Sequence, residues 1–357
     1  MNFVEIDGSY LEGGGQILRI STALSLLLKK PIRIDKIRAG RKDGGLKPQH
    51  LTGIKLLGEI SDAKLTGAEL KSTQILFDPT QLKSGTFMAD TKTAGSICLI
   101  IQNALPCLIF AKEESKLHLR GGTNADHSPQ IDYFEYIFKP IASKMNINFD
   151  LEILRRGYYP QGGGEVYLKS KPIKELNPID LTDFGEIKRI YGRAYVAGIL
   201  PIKIAVRMAD TATSLLKNNL PKIPIDIQVV EEKKGTYFGN GTGIIILAET
   251  TTGCVLAGSA LGSKGVLAEN VAKEAVEYLM QDIDSEACVD QYLQDQLIIF
   301  MGLANGKSRI KCGQLTLHTK TAIHYTELLT GAKFNIIELN KDKSFILECI
   351  GIGFKAE

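Results

Sequence analysis

Tryptophan is missing from this chain of 357 residues, and only five of its residues are histidine. No two cysteines form a C-x-x-C pair. The six present, Cys98, Cys107, Cys254, Cys288, Cys312 and Cys349, fall mostly in apolar runs. That pattern argues against a zinc site or a disulfide framework and predicts reduced, buried thiols. The longest apolar runs, such as GSICLII (95–101), are too short to cross a bilayer. The opening MNFVEIDGSYLEGGGQ lacks the basic-then-apolar order of a secretion signal, so neither export nor membrane insertion is expected. There is no polybasic nuclear signal, and no recognition helix or zinc finger for duplex DNA. The net charge of +3 is too small to mark a nucleic-acid binder by itself; a local basic patch would say more.

What is present reads as a globular α/β protein. Hydrophobic residues are 44% and charged residues 23%, and the length implies two or three domains. Three stretches share one shape of glycine or loop, apolar helix and strand: 13–34 (GGGQILRISTALSLLLKKPIRI), 94–111 and 292–311. Each is followed by a second amphipathic helix and another strand, at 48–67, 129–151 and 319–339. In the middle one Ile131, Phe134, Phe138 and Ile141 recur at helical spacing. The unit is strand–helix–strand–helix–strand–strand, used three times, and predicts three similar modules packed together.

Residues 186–286 break the repeat. They carry their own helices (204–219 and 267–283), strands at 225–232 and 243–261, and a glycine-rich loop, GTYFGNGTG. They predict a small α/β domain inserted into a larger one made of 1–185 and 287–357.

Several candidate sites follow. GSYLEGGGQ precedes a helix, so its backbone N–H groups can face an anion; by pattern alone a tight turn without a ligand is the favoured reading. Glu12 beside those glycines would repel phosphate unless a divalent metal lay between them. KIRAGRKDGGLKPQHL (36–51) is denser, with Lys36, Arg38, Arg41, Lys42 and Lys47 among glycines, followed by Gln49 and His50. Glycines let a ligand approach, and arginines fork around phosphate oxygens, so a phosphate or single-stranded RNA end is expected there. Asn124, Asp126 and His127 are expected to cap the helix after Pro129, and Asp295 and Gln296 to cap the helix they lead. His318 stands where the strand RIKCGQLTL (309–317) meets a helix. From the residues alone it is a general base, a metal ligand, a nucleophile or a plain polar group.

Six blocks carry a resemblance: GSYLEGGGQILRIS, KIRAGR with GLKPQHL, ADTKTAGS, HLRGGTNADHSPQIDY, RRGYYPQGGGEVYL and YLQDQLIIFM. In order and over nearly the whole chain, they resemble the RNA 3′-terminal phosphate cyclase family. The resemblance implies three βαβαββ modules, similar to the C-terminal fold of a translation initiation factor, with a small inserted domain. One branch of that family has a histidine that attacks ATP; a sibling branch in ribosomal-RNA processing lacks it. LTLHTKTAIH (315–324) resembles the cyclase motif, with His318 as the nucleophile. The implied reaction turns an RNA 3′-phosphate into a 2′,3′-cyclic phosphodiester through histidine–AMP and RNA–pp–A, releasing pyrophosphate and AMP. By position, Glu12 resembles a residue holding a divalent metal, Mg or Mn, on the ATP phosphates. Gln102, Pro129, Tyr292, Asp295 and Gln296 resemble the nucleotide contacts, with Leu261 on the adenine. Arg19, Arg38, Arg41, Gln49 and His50 fit the phosphate and RNA end. Asp295 is expected to orient His318, while His118, His324 and the cysteines stay structural. A non-catalytic ribosome-assembly role and an enolpyruvyl transferase are the rival readings; the presence of His318 disfavours the first, and the six blocks do not resemble the second. The family points to the nucleus, and no obligate protein partner is evident.

Overall fold

Helix α1 (Gly15–Leu28) is apolar almost all round, and eleven of its residues are buried. A helix of that kind belongs in an interior. The computed structural model, which describes residues 3–340 and 343–356, places it there, against two helices of neighbouring modules and one of its own.

The first module runs β1 (Val4–Asp7), α1, β2 (Ile32–Asp35), α2 (Pro48–Ser61), β3 (Lys64–Thr66) and β4 (Ile75–Asp78). Its sheet order is β1-β2-β4-β3. The second repeats this with β5 (Thr86–Asp90), α3 (Ile97–Leu108), β6 (Ser115–Gly121), a helix α4 over 131–144, β7 (Phe149–Gly157) and β8 (Gly164–Ser170). Five residues of α4, Phe134–Phe138, form a π-helical turn. The third module opens with the two-residue β9 (Asp180–Leu181), and about a hundred residues intervene before its first helix. It resumes as α7 (Leu293–Leu303), β15 (Lys307–Cys312), α8 (Leu317–Thr330), β16 (Lys333–Asn340) and β17 (Ser344–Ile350). In each module the first two strands are parallel, joined by a crossover that contains a helix, and the last two are antiparallel to their neighbours. Burial alternates along β6 as Lys116, His118 and Arg120 face outward, so the sheets keep one wet face and turn the other toward the helices. One apolar cluster, from Ile6 to Cys349, joins all three modules.

The intervening unit comprises β10 (Ile187–Ala197), α5 (Lys203–Asn219), β11 (Ile225–Glu231), β12 (Tyr237–Phe238), β13 (Gly241–Thr250), β14 (Val255–Leu261) and α6 (Ala268–Asp284). Its sheet, β11-β10-β13-β14, packs α5 and α6 around a separate core that includes Met208, Leu256 and Leu279. The run 243–261, read as strand throughout, is a hairpin turning at 251–254. The GTYFGNGTG loop also holds a strand: β12 pairs with β7 and covers that sheet edge. All six cysteines are free and buried.

Candidate active site

The loop after β1 turns through left-handed backbone at Leu11 (φ 52°) and Gly13 (φ 58°). This folds the Glu12 carboxylate back over Gly14, the uncapped N-cap of α1. A Cβ on Gly14 would come 2.0 Å from Glu12 Oε1. The Glu12 side chain is 8% exposed. Arg41 Nη2 donates to its Oε1 and, at 3.0 Å, to its carbonyl. The Glu12 N–H donates to Thr321 Oγ1 at 3.2 Å, tying the loop to α8. Among the described residues its Oε2 is buried without a hydrogen-bond partner.

His318 is the second residue of α8, whose start is capped by Thr316 Oγ1 accepting from Thr319 N–H at 3.0 Å. The strand expected to reach Leu317 ends at Cys312, because the chain turns at Gly313 to enter this cap. Thr319 Oγ1 donates to Gln294 Oε1 at 2.8 Å and so locks the start of α8 to α7. The imidazole is exposed. Burial of part of its surroundings lowers its pKa below 6.5, Glu12 opposes this, and Arg19 and Arg41 lower it further. A neutral ring near pH 7 keeps its lone pair.

Beside it a cleft between α1, α3, α4 and α7 brings together Gln16, Arg19, Gln102, Asp295 and Gln296 over a floor that includes Phe134 and Phe138. Gln16 Nε2 donates to Asp295 Oδ2 at 3.0 Å. Burial pushes the Asp295 carboxyl up to about 7, against the pull of Arg19. Arg19 feels the charges of both Asp295 and Glu12. Gln296 Nε2 donates to the Tyr292 carbonyl at 2.7 Å, while its Oε1 is buried without a hydrogen-bond partner among the described residues. The Tyr292 ring meets Tyr133 edge-on at 5.9 Å. Pro129 is buried in the 124–130 loop ahead of α4.

The basic loop closes over the same helix end. Arg38 Nη1 donates to the carbonyls of Asp43 (2.7 Å) and Gly45 (3.1 Å), which fold the loop back on itself. His50 Nδ1 accepts from Lys47 N–H at 3.3 Å, which puts the ring proton on Nε2. That nitrogen faces Gly15, where a Cβ would lie 2.6 Å away. Burial, with Arg19, Arg38 and Lys47, lowers the His50 pKa to about 3, so the ring stays a neutral donor. Gln49 Oε1 accepts from Ser96 N–H at 2.7 Å, bracing α2 against α3. The N-terminus of α1 is therefore ringed by donors and cations, which suits a polyanion.

Several expectations need correction. Among the described residues Asp295 forms no hydrogen bond to His318; Gln16 occupies it, and the carboxylate beside the imidazole is Glu12. Asp295 does not cap α7 either. Asp290 does, accepting from the N–H groups of Tyr292 (3.0 Å) and Leu293 (2.9 Å). Nor do Asn124, Asp126 and His127 cap α4: Asn124 Nδ2 donates to Gln130 Oε1 and Tyr195 Oη, and the other two side chains are exposed. Leu261 does not line this cleft; it lines a neighbouring cavity with Asp126 and Tyr159. His118 pairs with Glu165 at 2.6 Å and His324 meets the Tyr10 ring at a tilt, centroids 4.6 Å apart, both outside the cluster. Sequence reasoning missed Gln16, Gln294 and Asp290. Asp290 is wholly buried and also accepts from Tyr133 Oη (2.6 Å) and Ala257 N–H (3.0 Å). Its position three residues before Leu293 was a readable capping signal.

An exposed imidazole, one carboxylate and converging guanidinium groups on a repeated α/β body suit an enzyme that handles phosphates. The family model described as RNA 3′-terminal phosphate cyclase matches residues 10–336. A probable RNA 3′-terminal phosphate cyclase of Dictyostelium discoideum is 45% identical over 361 residues, covering 98% of this chain and 83% of its own. RNA 3′-terminal phosphate cyclases of Drosophila melanogaster (41% identical, covering 98% and 97%) and Pyrobaculum aerophilum (38%, covering 98% and 99%) are similar end to end. The chain belongs to the RNA 3′-terminal phosphate cyclase family and is an enzyme of the ligase class.

Proposed function

We propose that this chain converts an RNA 3′-terminal phosphate to a 2′,3′-cyclic phosphodiester, consuming ATP through a histidine–AMP and an RNA–pp–A intermediate. The observation that carries the reading is His318: exposed, held toward its neutral form, and set beside Glu12, Arg19 and Arg41. In the first step the imidazole lone pair attacks the α-phosphorus of ATP. The bond from that phosphorus to the β-phosphate oxygen breaks, and pyrophosphate leaves. In the second, an oxygen of the RNA 3′-phosphate attacks the same phosphorus, the N–P bond breaks, and His318 is restored. In the third, the 2′-oxygen attacks the 3′-phosphorus as its proton departs, the P–O–P bond breaks, and AMP leaves. Without adenylation that last step would expel an oxide-like oxygen; AMP is a far better leaving group. Ring closure is intramolecular, so positioning supplies much of its rate.

The residues fit these roles. Arg19, Arg38 and Arg41 face the anionic phosphates. Gln102, Pro129, Tyr292, Asp295 and Gln296 are assigned to the nucleotide, where the partnerless Oε1 of Gln296 can accept from ATP. The RNA end is assigned to the Arg38–His50 side. The orphaned Oε2 of Glu12 fits a divalent ion, Mg or Mn. Among the described residues no cluster of three or more ligating side chains exists, so such an ion would share Glu12 with phosphates and water, as Mg does. Its chemistry there is to neutralise phosphate charge. Among the described residues no helix is long and apolar enough to cross a membrane; the nucleus is the compartment we propose, on the resemblance.

Two experiments test the scheme. With α-labelled ATP and a divalent metal but no RNA, label should bind the protein through an acid-labile, alkali-stable bond. It should vanish in His318→Ala and His318→Asn; equal uptake in either variant refutes the nucleophile. An RNA with a 3′-phosphate but no 2′-hydroxyl should accumulate as the adenylated species, and ordinary release of AMP from it would contradict the third step.

A further inference from the structure

A cavity of about 600 Å³ lies between the second module and the 187–284 unit. Nothing above uses it. Leu200, Ile204, Met208, Leu261 and Val271 make an apolar floor, and Asn124, Asp126 and Ser263 give it polar edges. Tyr159, on its wall, is 72% exposed. Around it stand more solvent-facing apolar side chains: Ile199 (85% exposed), Val266 (48%) and Leu267 (57%). Exposed apolar groups gathered at a cavity mark a binding site rather than a bare surface. Lys264, also lining it, forms no ion pair among the described residues.

Continuity with the cleft indicates the occupant. The 124–130 loop presents Asn124 and Asp126 to the cavity and Pro129 and Gln130 behind them, and the 2.9 Å Asn124–Gln130 hydrogen bond stiffens it. A chain that enters the active site thus has this cavity next door. An apolar bed, an exposed tyrosine and one free cation match the needs of an unpaired nucleotide: a stacked base and a neutralised phosphate. The volume falls in the range of small-molecule sites. The Asn124 amide is already bonded inside the protein, so recognition here rests on stacking more than on the identity of the base.

We propose that this cavity receives an unpaired base of the substrate RNA upstream of its 3′ end, stacked on Tyr159, with Lys264 on the adjoining backbone phosphate. The proposal rests on the RNA reading above, but it concerns binding alone. The test is the Kd of the full-length protein for a single-stranded 3′-phosphorylated RNA, followed by fluorescence anisotropy, with an abasic site moved along the RNA. Removing the base at one upstream position should weaken binding about tenfold. Tyr159→Ala and the cavity-filling Ile204→Trp should weaken the intact RNA similarly and abolish the abasic effect, and Lys264→Glu should flatten the salt dependence. If no upstream position is sensitive, or if sensitivity survives in Tyr159→Ala and Ile204→Trp, the proposal is wrong. RNA-free label uptake should be unchanged in all three variants. Its absence from the wild type would strike the histidine mechanism and leave the anisotropy result to stand or fall separately.

Discussion

Partial burial, Arg19 and Arg41 all favour loss of the His318 proton, and Glu12 alone favours keeping it. Arg41 acts twice in this balance, as a cation near the ring and as the group that occupies Glu12 Oε1. Arg41→Gln removes a positive charge and frees a negative one, and both changes raise the imidazole pKa. The acid limb of RNA-free label uptake should therefore move to higher pH. At saturating ATP, uptake at about pH 6 should fall several-fold relative to its own plateau, with little change at about pH 8. A profile that keeps its shape would show that Arg41 does not govern the protonation of His318.

At the level of elements, the site is a meeting of helix starts. The N-terminal ends of α1, α2, α7 and α8 bring Glu12, His50, Asp295 and His318 to one place, each held by a different local device. For α1 the device is a glycine. Gly14 sits at φ −126°, ψ −155°, an extended backbone that alanine adopts freely. The atoms nearest to a Cβ there are those of the Glu12 carboxylate. Gly14→Ala should therefore leave the fold nearly as stable, within about 1 kcal/mol. It should raise the metal concentration needed for half-maximal label uptake by about tenfold or more, because the carboxylate must move. A metal titration that matches wild type would show that Glu12 does not serve the metal. For α7 the device is Asp290, whose four hydrogen bonds reach α4 and β14 as well as its own helix.

Across the molecule, the 187–284 unit is fastened to the second module by a buried ionic cluster. Arg156 holds both oxygens of Asp132, at 2.6 and 2.7 Å, and Arg193 from β10 adds a third contact at 3.1 Å. Glu232 Oε1 forms an ion pair with Arg156 Nε at 3.0 Å and accepts from Arg193 Nη2. Burial opposes the charge on Asp132, but Arg156 and Arg193 outweigh it and hold the carboxyl below its usual 3.8. Its contribution to stability is thus present above about pH 4 and lost as the pH falls below that. Asp132→Asn leaves two buried guanidinium groups with one carboxylate between them and should cost about 3–5 kcal/mol, read as a lower urea midpoint near neutral pH. A midpoint unchanged from wild type would mean that the cluster is solvated rather than structural.

The repeated modules were legible because a β-strand and an amphipathic helix each leave a periodic trace: α1, α3 and α7 are apolar runs whatever they touch. His318, Glu12 and the arginines were legible as residue types in dense, glycine-flanked blocks. The Asp295–His318 pair was misread because two residues near one another in a site need not point at one another, and Gln16, from a different module, takes the carboxylate. Leu261 lines the neighbouring hollow and not the cleft, which a strand end does not reveal, since it shows its residue type but not which of two hollows it faces. Sequence alone determined where most of the helices and strands of the three modules lie and which residue types fill the glycine-flanked blocks, since both depend on local periodicity and side-chain chemistry. Tertiary structure decided which carboxylate faces the imidazole, which amide is left unpaired and where a second cavity opens, since those depend on contacts between residues hundreds of positions apart.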